Sequence, residues 1–416
     1  MLDASSLNIH KTQSYLQRVT RDGLLKCLQH LEVGSLTLIE SYTSSRESVS
    51  HTFGLPRKGE PNATIEINHP DFYVRLMKGG SIAAGEAYID GWWESPNLTD
   101  LMQLMALNMS ALDSIESKSS WVSSVVHKLS HWFNRNSIAQ SQKNIHAHYD
   151  LGNALYETFL DEKMLYSSAL YSGSNNTLEA AQINKMERLC QQLQLQASDH
   201  VIEIGTGWGA MAIYMAEKYG CRVTTTTISE EQFHYAQDKI RSAGLEDQIT
   251  LLKQDYRVLE GEFDKLVSIE MIEAVGKSYL PSYIKKCQSL LKPNGLMAIQ
   301  AITIADQRYQ SYSNSVDFIQ KYIFPGGFLP SITCLSSATT KYSDLIIRDL
   351  FDIGLDYAKT LKDWQIRFNL AEPRLRELGY DEPFIRMWRY YLCYCEGGFL
   401  ARSISTIHLT LQRPQV

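Results

Sequence analysis

The sequence predicts an α/β protein in which a doubly wound, mostly parallel sheet follows a smaller α+β module. Three observations lead there. From His200 onward, apolar strand, Gly-rich turn and helix alternate. Earlier, TIEINHPDFYVRLMKGGSIAAGEAYIDGWWES places short alternating segments before a Gly-rich turn and the pair Trp92-Trp93. Near the C-terminal end, helical FIRMWRYYLCYCEGGFLARS runs into ISTIHLTLQR, which returns as an antiparallel strand.

The organisation expected is an N-terminal module over 1–110, a polar connector over 111–145 and a larger α/β domain over 146–416. The connector carries no acidic residue between Lys118 and Tyr149, while Lys118, Lys128, Arg135 and Lys143 add positive charge beside His127, His131, His146 and His148. Trp121, Val125, Leu129, Trp132 and Phe133 recur at helical spacing, which predicts an amphipathic helix with Lys128 and Arg135 on the other face. Such a face suits packing on its own domains or insertion at an anionic membrane surface, and the connector alone does not decide. In the larger domain VIEIGTG, RVTTTTI, ITLLKQ, KLVSIE and LMAIQAITI read as strands, with AIYMAEKYG and EEQFHYAQDKIRSAG as helices between the early ones. A stretch at about 305–340 then interrupts the alternation with Tyr309, Tyr312, Phe318, Tyr322, Ile323, Phe324 and Phe328. These aromatics suit a lid over a lipid-sized cavity or ordinary packing.

A chain of 416 residues, 44% hydrophobic, is long enough to bury a sizeable core and divide into two or three domains. Its formal charge of −6 argues against nucleic acid as a partner, because phosphate binding calls for a basic surface. The seven cysteines, Cys27, Cys190, Cys221, Cys287, Cys334, Cys393 and Cys395, form no CxxC pair and no disulfide framework, which fits a reduced, cytoplasmic setting. No metal site is expected, since the histidines have no ligand partners at diagnostic spacing. No stretch is long and apolar enough to suggest a membrane span or a secretory leader.

The segment Val201-Ile-Glu-Ile-Gly-Thr-Gly-Trp-Gly209 sets Gly205, Gly207 and Gly209 directly between a strand and a helix, where glycines let the backbone approach a ligand. A nicotinamide dinucleotide loop looks similar, but two details separate them. Glu203 lies inside the strand before a GxGxG turn, and the second strand ends in Thr224-Thr-Thr-Thr227 instead of the acid that reads a dinucleotide ribose. Both favour S-adenosylmethionine.

HYDLGN at 148–153, MLYSSALY at 164–171, EIGTGWG, TTISEEQ, QDYR, EMIEAVG and FPGGFLPS follow in the order found in cyclopropane-fatty-acid synthases and mycolic-acid methyltransferases, which this chain resembles. The GGSIAAGEAYIDGWWE segment resembles the N-terminal domain of bacterial members, so the similarity is nearly full length. The resemblance implies a class I, Rossmann-like S-adenosylmethionine-dependent methyltransferase domain behind a smaller lipid-binding-type α+β domain. It implies that Tyr166 and Ser167 contact the amino-acid portion of the cofactor beside Gly205 and Gly207. Thr227, Ile228, Ser229 and Gln232 are then expected at the ribose region, and Asp255 with Tyr256 at the adenine.

The implied reaction methylates the double bond of an unsaturated acyl chain in a membrane phospholipid and closes a cyclopropane ring after proton loss. An alkene is a poor nucleophile, so positioning of the sulfonium methyl is the main requirement. The resulting cation needs negative or π charge around it, and a base. By resemblance the base is a bound bicarbonate, and the residues carried over are Glu273, the backbone at Ile302, and Tyr391. Ser168 stands where many members have cysteine, Gln300 where many have histidine, and Ala274 replaces a histidine that often follows the glutamate. Glu270, one turn earlier, is a supporting candidate, and Glu396 either faces the pocket or is an exposed or locally paired acid. Methyl- or methylene-branched products, a carrier-bound acyl substrate, and a non-catalytic lipid-binding protein are the alternatives. Family analogy also implies a homodimer, and a cytoplasmic protein bound peripherally to the inner face of the membrane.

Overall fold

The computed structural model describes residues 14–42, 48–109, 152–173 and 177–415. The predicted amphipathic connector helix lies outside them. The chain forms two compact units, one from the described parts of Met1–Lys128 with Gly379–Ser403, the other from the described parts of Leu129–Leu378 with Ile404–Val416.

In the first unit a helix over Tyr15–Leu28 opens with a capping box, the Ser14 hydroxyl and the Gln17 side chain each taking an amide of the other residue. Strands β1 (Ser35–Glu40), β2 (Val49–Gly54), β3 (Asn62–Ile67) and β4 (Trp93–Glu94) form a sheet in the order β2-β1-β3-β4. Strand β1 is antiparallel to β2 and parallel to β3. The helix over Phe72–Ile89 is interrupted at Gly80, whose φ of 56° and ψ of −141° admit only glycine at low cost. Glu40 is 1% exposed, and its carboxylate accepts both Arg21 Nε (2.6 Å) and the Tyr73 hydroxyl (2.6 Å). Burial alone would raise its pKa, but these bonds and one from Tyr42 outweigh it and hold the carboxyl down at about 2.

The helix over Glu382–Leu400 belongs to this unit, whereas the sequence reading kept 146–416 as one domain. Its packing gives the reason. Arg386 donates to the carbonyl of Tyr88 (2.7 Å) and pairs with Glu94 (2.7 Å), and Glu396 accepts the Thr99 hydroxyl at 2.8 Å. A Cβ on Gly397 would fall 2.6 Å from that of Met102, so only glycine lets the backbone come this close to the helix over Leu98–Leu107.

The second unit carries strands β5 (His200–Ile204), β6 (Arg222–Thr227), β7 (Ile249–Lys253), β8 (Phe263–Ile269), β9 (Leu291–Ile304), β10 (Ile346–Asp352) and β11 (Ile404–Gln412) in the order β10-β11-β9-β8-β5-β6-β7. The five from β9 to β7 run parallel, and β11 is antiparallel to both β9 and β10. The predicted strands and the two early helices are all present, and β11 is the expected antiparallel return. Alternate residues feed two cores, Val201 and Val223 joining Met211, Met215 and Leu189 on one face, Ile202 and Ile204 joining Tyr283, Ile284 and Leu335 on the other. Strand β10 went unread because it is an exposed edge with no buried stripe. The aromatic stretch after β9 folds as helices over Asp306–Tyr312 and Phe318–Tyr322, followed by the helix Ile332–Tyr342 capped by Ser331. Among the described residues no helix is long and apolar enough to cross a membrane.

Candidate active site

Central strand β5 delivers the chain into Gly205-Thr-Gly-Trp-Gly209, and the helix Ala210–Tyr219 starts at once. The three glycines have φ of 101°, 54° and 96°, a left-handed run that side-chain-bearing residues rarely adopt. The amides of Gly205 (3.1 Å) and Thr206 (3.0 Å) both bond to the Thr226 carbonyl, anchoring the loop on β6. Space is open where a Cβ on Gly207 would stand, which leaves a backbone cradle at the carboxyl end of the sheet that fits a nucleoside-bearing ligand. Glu203 faces into the sheet at 2% exposure and accepts the Thr225 hydroxyl at 2.6 Å, and that hydroxyl in turn meets Thr206 Oγ1 at 2.6 Å. Burial lifts the Glu203 carboxyl to about 8 against the single hydrogen bond that lowers it.

Beyond β6, Thr227 donates to Gln232 Oε1 (3.0 Å), and Ser229 caps the helix Glu230–Ser242 by accepting the Gln232 amide, with Ile228 between them. Asp255 is clamped by its neighbour Arg257 through Nε (2.8 Å) and Nη2 (2.6 Å), and Tyr256 lies edge-on to Tyr283. The Tyr166 ring contacts Tyr156, Phe324 and Trp364, with centroids 5.2, 6.4 and 5.3 Å away. Ser167 accepts the ammonium of Lys185 at 2.7 Å.

The acids stand on the loop after β8. Met271, between Glu270 and Glu273, touches the position a Cβ of Gly205 would take, at 3.4 Å, so this loop abuts the glycine loop. Glu273 Oε1 accepts the Ile302 amide at 2.5 Å, while Oε2 is sealed from solvent with no hydrogen-bond partner, although the residue as a whole is half-buried. Its carbonyl receives the Phe328 amide at 2.9 Å, which ties the acid to the FPGGFLPS segment. Burial first and the nearby Glu270 second push the Glu273 carboxyl up to about 8.

Glu270 is the hub. Its Oε1 accepts the Ser168 amide (2.8 Å) and Gln300 Nε2 (2.7 Å), and its Oε2 accepts the Tyr357 hydroxyl (2.8 Å). Burial raises its pKa against these three bonds and the attraction of Lys185. Gln300 is held from its other end, Oε1 standing 2.9 Å from His408 Nε2 across the β9–β11 register. Burial keeps His408 neutral, its pKa lowered to about 3. Because the Gln300 NH2 donates to Glu270 Oε1 (2.7 Å) and to the Ser168 carbonyl (3.1 Å), its Oε1 is left to accept from His408 Nε2.

Glu270, Glu273, Ser168, Gln300 and Ile302 thus converge. Tyr391 lies on the helix Glu382–Leu400 of the other unit, 4% exposed and edge-on to Trp388 at 5.5 Å. Glu396 is on the same helix, bonded to Thr99. Sequence reasoning missed Lys185, Tyr357 and His408. Lys185 is fully buried and its pKa falls to about 8 through burial, against attraction from Glu270 and Asp161. Its signal was available: on the helix Leu178–Gln192 it falls on the stripe of Leu178, Ala181 and Leu189, where a charge demands a partner. Tyr357 and His408 gave no such signal, being an aromatic in a helix and one residue of an apolar strand.

The β10-β11-β9-β8-β5-β6-β7 sheet with a glycine loop after its central strand defines the chain as a class I S-adenosylmethionine-dependent methyltransferase. The family model for mycolic acid cyclopropane synthetase matches residues 136–409, and the chain belongs to that family. It is 36% identical over 363 residues to the tuberculostearic acid methyltransferase UfaA1 of Mycobacterium tuberculosis, a match covering 85% of this chain and 84% of that one. It is 35% identical over 384 residues to the cyclopropane-fatty-acyl-phospholipid synthase of Escherichia coli K12, covering 89% and 93%. A crystal structure of the mycolic acid cyclopropane synthase CmaA1 with SAH and CTAB superposes with a TM-score of 0.61 at 26% identity, over 65% of this chain and 98% of that one.

Proposed function

We propose that the chain methylates the double bond of unsaturated acyl chains in membrane phospholipids and closes a cyclopropane ring. The observation that carries this reading is the carboxyl pair Glu270 and Glu273 on a loop that abuts the glycine loop through Met271. S-adenosylmethionine, when bound, would supply the electrophilic methyl group. The chain's part is to place and to protect. Gly205, Gly207 and Gly209, with Tyr166, Ser167, Thr227, Ile228, Ser229 and Gln232, hold the cofactor, and Asp255 with Tyr256 border its adenine. Glu203 sets the loop from behind through Thr225 and Thr206. The rings of Tyr166, Phe324, Trp364 and Tyr357 and the paired carboxyls offer π and negative charge to a cation, which water would otherwise trap.

The substrate assignment draws on the relatives, whose names specify fatty-acyl phospholipid and tuberculostearic acid. The basic aromatic connector supports action at an anionic bilayer from the cytoplasmic side. A second product class, a methyl- or methylene-branched chain, is favoured by the departures at Ser168 and Gln300 together with the relative named for tuberculostearic acid. The test is label transfer from methyl-labelled S-adenosylmethionine to liposomes, with mono-unsaturated and fully saturated phospholipids compared. Label should enter only the former and fall by roughly 100-fold or more in Glu273→Gln. Label in neither, from protein that binds the cofactor, overturns the reading.

A further inference from the structure

The family resemblance implies a bicarbonate ion as the base, and the residues present do not fit one. Of the groups expected to hold it, the Ser168 amide and the Gln300 NH2 already bond to Glu270 Oε1, at 2.8 and 2.7 Å. The Ser168 hydroxyl donates to the Ala169 carbonyl at 3.0 Å, and the other end of Gln300 is taken by His408. The charge of Glu270 raises the pKa of Glu273, so a further anion beside them would meet two carboxyls. The backbone points the same way. Glu270 holds φ at +47°, a left-handed conformation that strains a glutamate and leaves a glycine at ease. Strain of this kind persists where the side chain it places is needed.

We infer that the Glu270 carboxylate replaces the exogenous anion, so that this enzyme carries its base as part of the chain and needs no bicarbonate. In the step assigned to it, a C–H bond of the methylated cation gives its electron pair to carbon, closing the ring or forming a double bond. The proton passes to a carboxylate oxygen of Glu270, which becomes the neutral acid and later releases the proton to solvent. Three donors and the buried Lys185 orient the group, and its raised pKa makes it a stronger base than an exposed carboxylate. Neutral His408 holds Gln300.

This inference rests on the methyltransferase reading above, and its test separates the two. Binding of 13C-labelled bicarbonate to the protein saturated with S-adenosylhomocysteine is followed by NMR, for wild type, Glu270→Gly and Glu270→Gln. Glycine relieves the backbone and vacates the carboxylate's place, whereas glutamine fills it without a basic oxygen. Wild type should show no saturable binding, Glu270→Gly should gain it, and Glu270→Gln should not. In turnover under bicarbonate-free buffer, wild type should be unchanged to within about 2-fold by added bicarbonate. Both variants should lose roughly 100-fold, with bicarbonate restoring activity to Glu270→Gly alone. Saturable binding by wild type, or a Glu270→Gly enzyme fully active without bicarbonate, overturns the inference. Absence of methyl transfer to every lipid, with the binding pattern intact, strikes the lipid reading and leaves the site assignment standing.

Discussion

Replacing Glu203 by glutamine should flatten the pH dependence of stability. The carboxyl lies in the sheet at 2% exposure with one hydrogen-bond donor, and its pKa moves from 4.5 to about 8. Between those values the native protein keeps a proton that the unfolded chain releases, so stability falls as pH rises and the loss is complete above about 8. At about 1.4 kcal/mol per pH unit, the whole contribution is about 4–5 kcal/mol. Glutamine still accepts the Thr225 hydroxyl and does not titrate, so near pH 5 it costs at most about 1 kcal/mol. Urea unfolding of both proteins at intervals from about pH 5 to pH 9 measures the difference. The variant should gain on wild type steadily across the range and be the more stable above pH 8. Parallel curves would refute the reasoning, because Glu203 would then titrate as an exposed acid does. Cofactor affinity should change by less than about 3-fold, since Glu203 acts on the loop only through Thr225 and Thr206.

Gly209→Ala should lose about 1–3 kcal/mol in thermal unfolding and weaken cofactor binding in equilibrium dialysis, because φ is +96° and the new Cβ meets that of Ala236 at 3.2 Å. Tyr357→Phe removes a donor from Glu270 Oε2; kcat should fall by roughly 10-fold with lipid KM unchanged, and the rising limb of the pH–rate profile should move to higher pH, as a carboxylate that loses a hydrogen bond binds its proton more tightly. Arg386→Met leaves the Tyr88 carbonyl without its donor and should cost about 1–3 kcal/mol in urea unfolding, with near-normal cofactor affinity as the check that the second unit is intact.

The parallel sheet was legible because its strands are continuous apolar runs broken by glycine turns, and GTGWG marks the turn that links β5 to the helix after it. Strand β10 was not, because Ile346, Ile347, Leu350 and Phe351 are exposed on an edge and carry no alternation that burial would impose. The helix Glu382–Leu400 was readable as a helix, but its membership in the first unit depends on Arg386 reaching the Tyr88 carbonyl and on Gly397 meeting Met102, contacts about 300 residues apart in sequence. In the site, Glu273 was singled out from its motif and does hold the Ile302 amide. The weight carried by Glu270 was not legible, because nothing in EMIEAVG reveals a left-handed φ that turns its carboxylate onto Ser168 and Gln300. Ser168 and Gln300 read as departures from a pattern; with Glu270 between them they become the two donors of one carboxylate site.

The central claim is that this site builds a new carbon bridge on a lipid double bond. Mass spectrometry of mono-unsaturated phospholipids after incubation with S-adenosylmethionine bearing a CD3 group tests it most directly, with ozonolysis of the product. The account predicts a lipid heavier by one CD2 unit that resists ozone, absent with Glu273→Gln. Lipid of unchanged mass in the presence of cofactor-bound enzyme would contradict it.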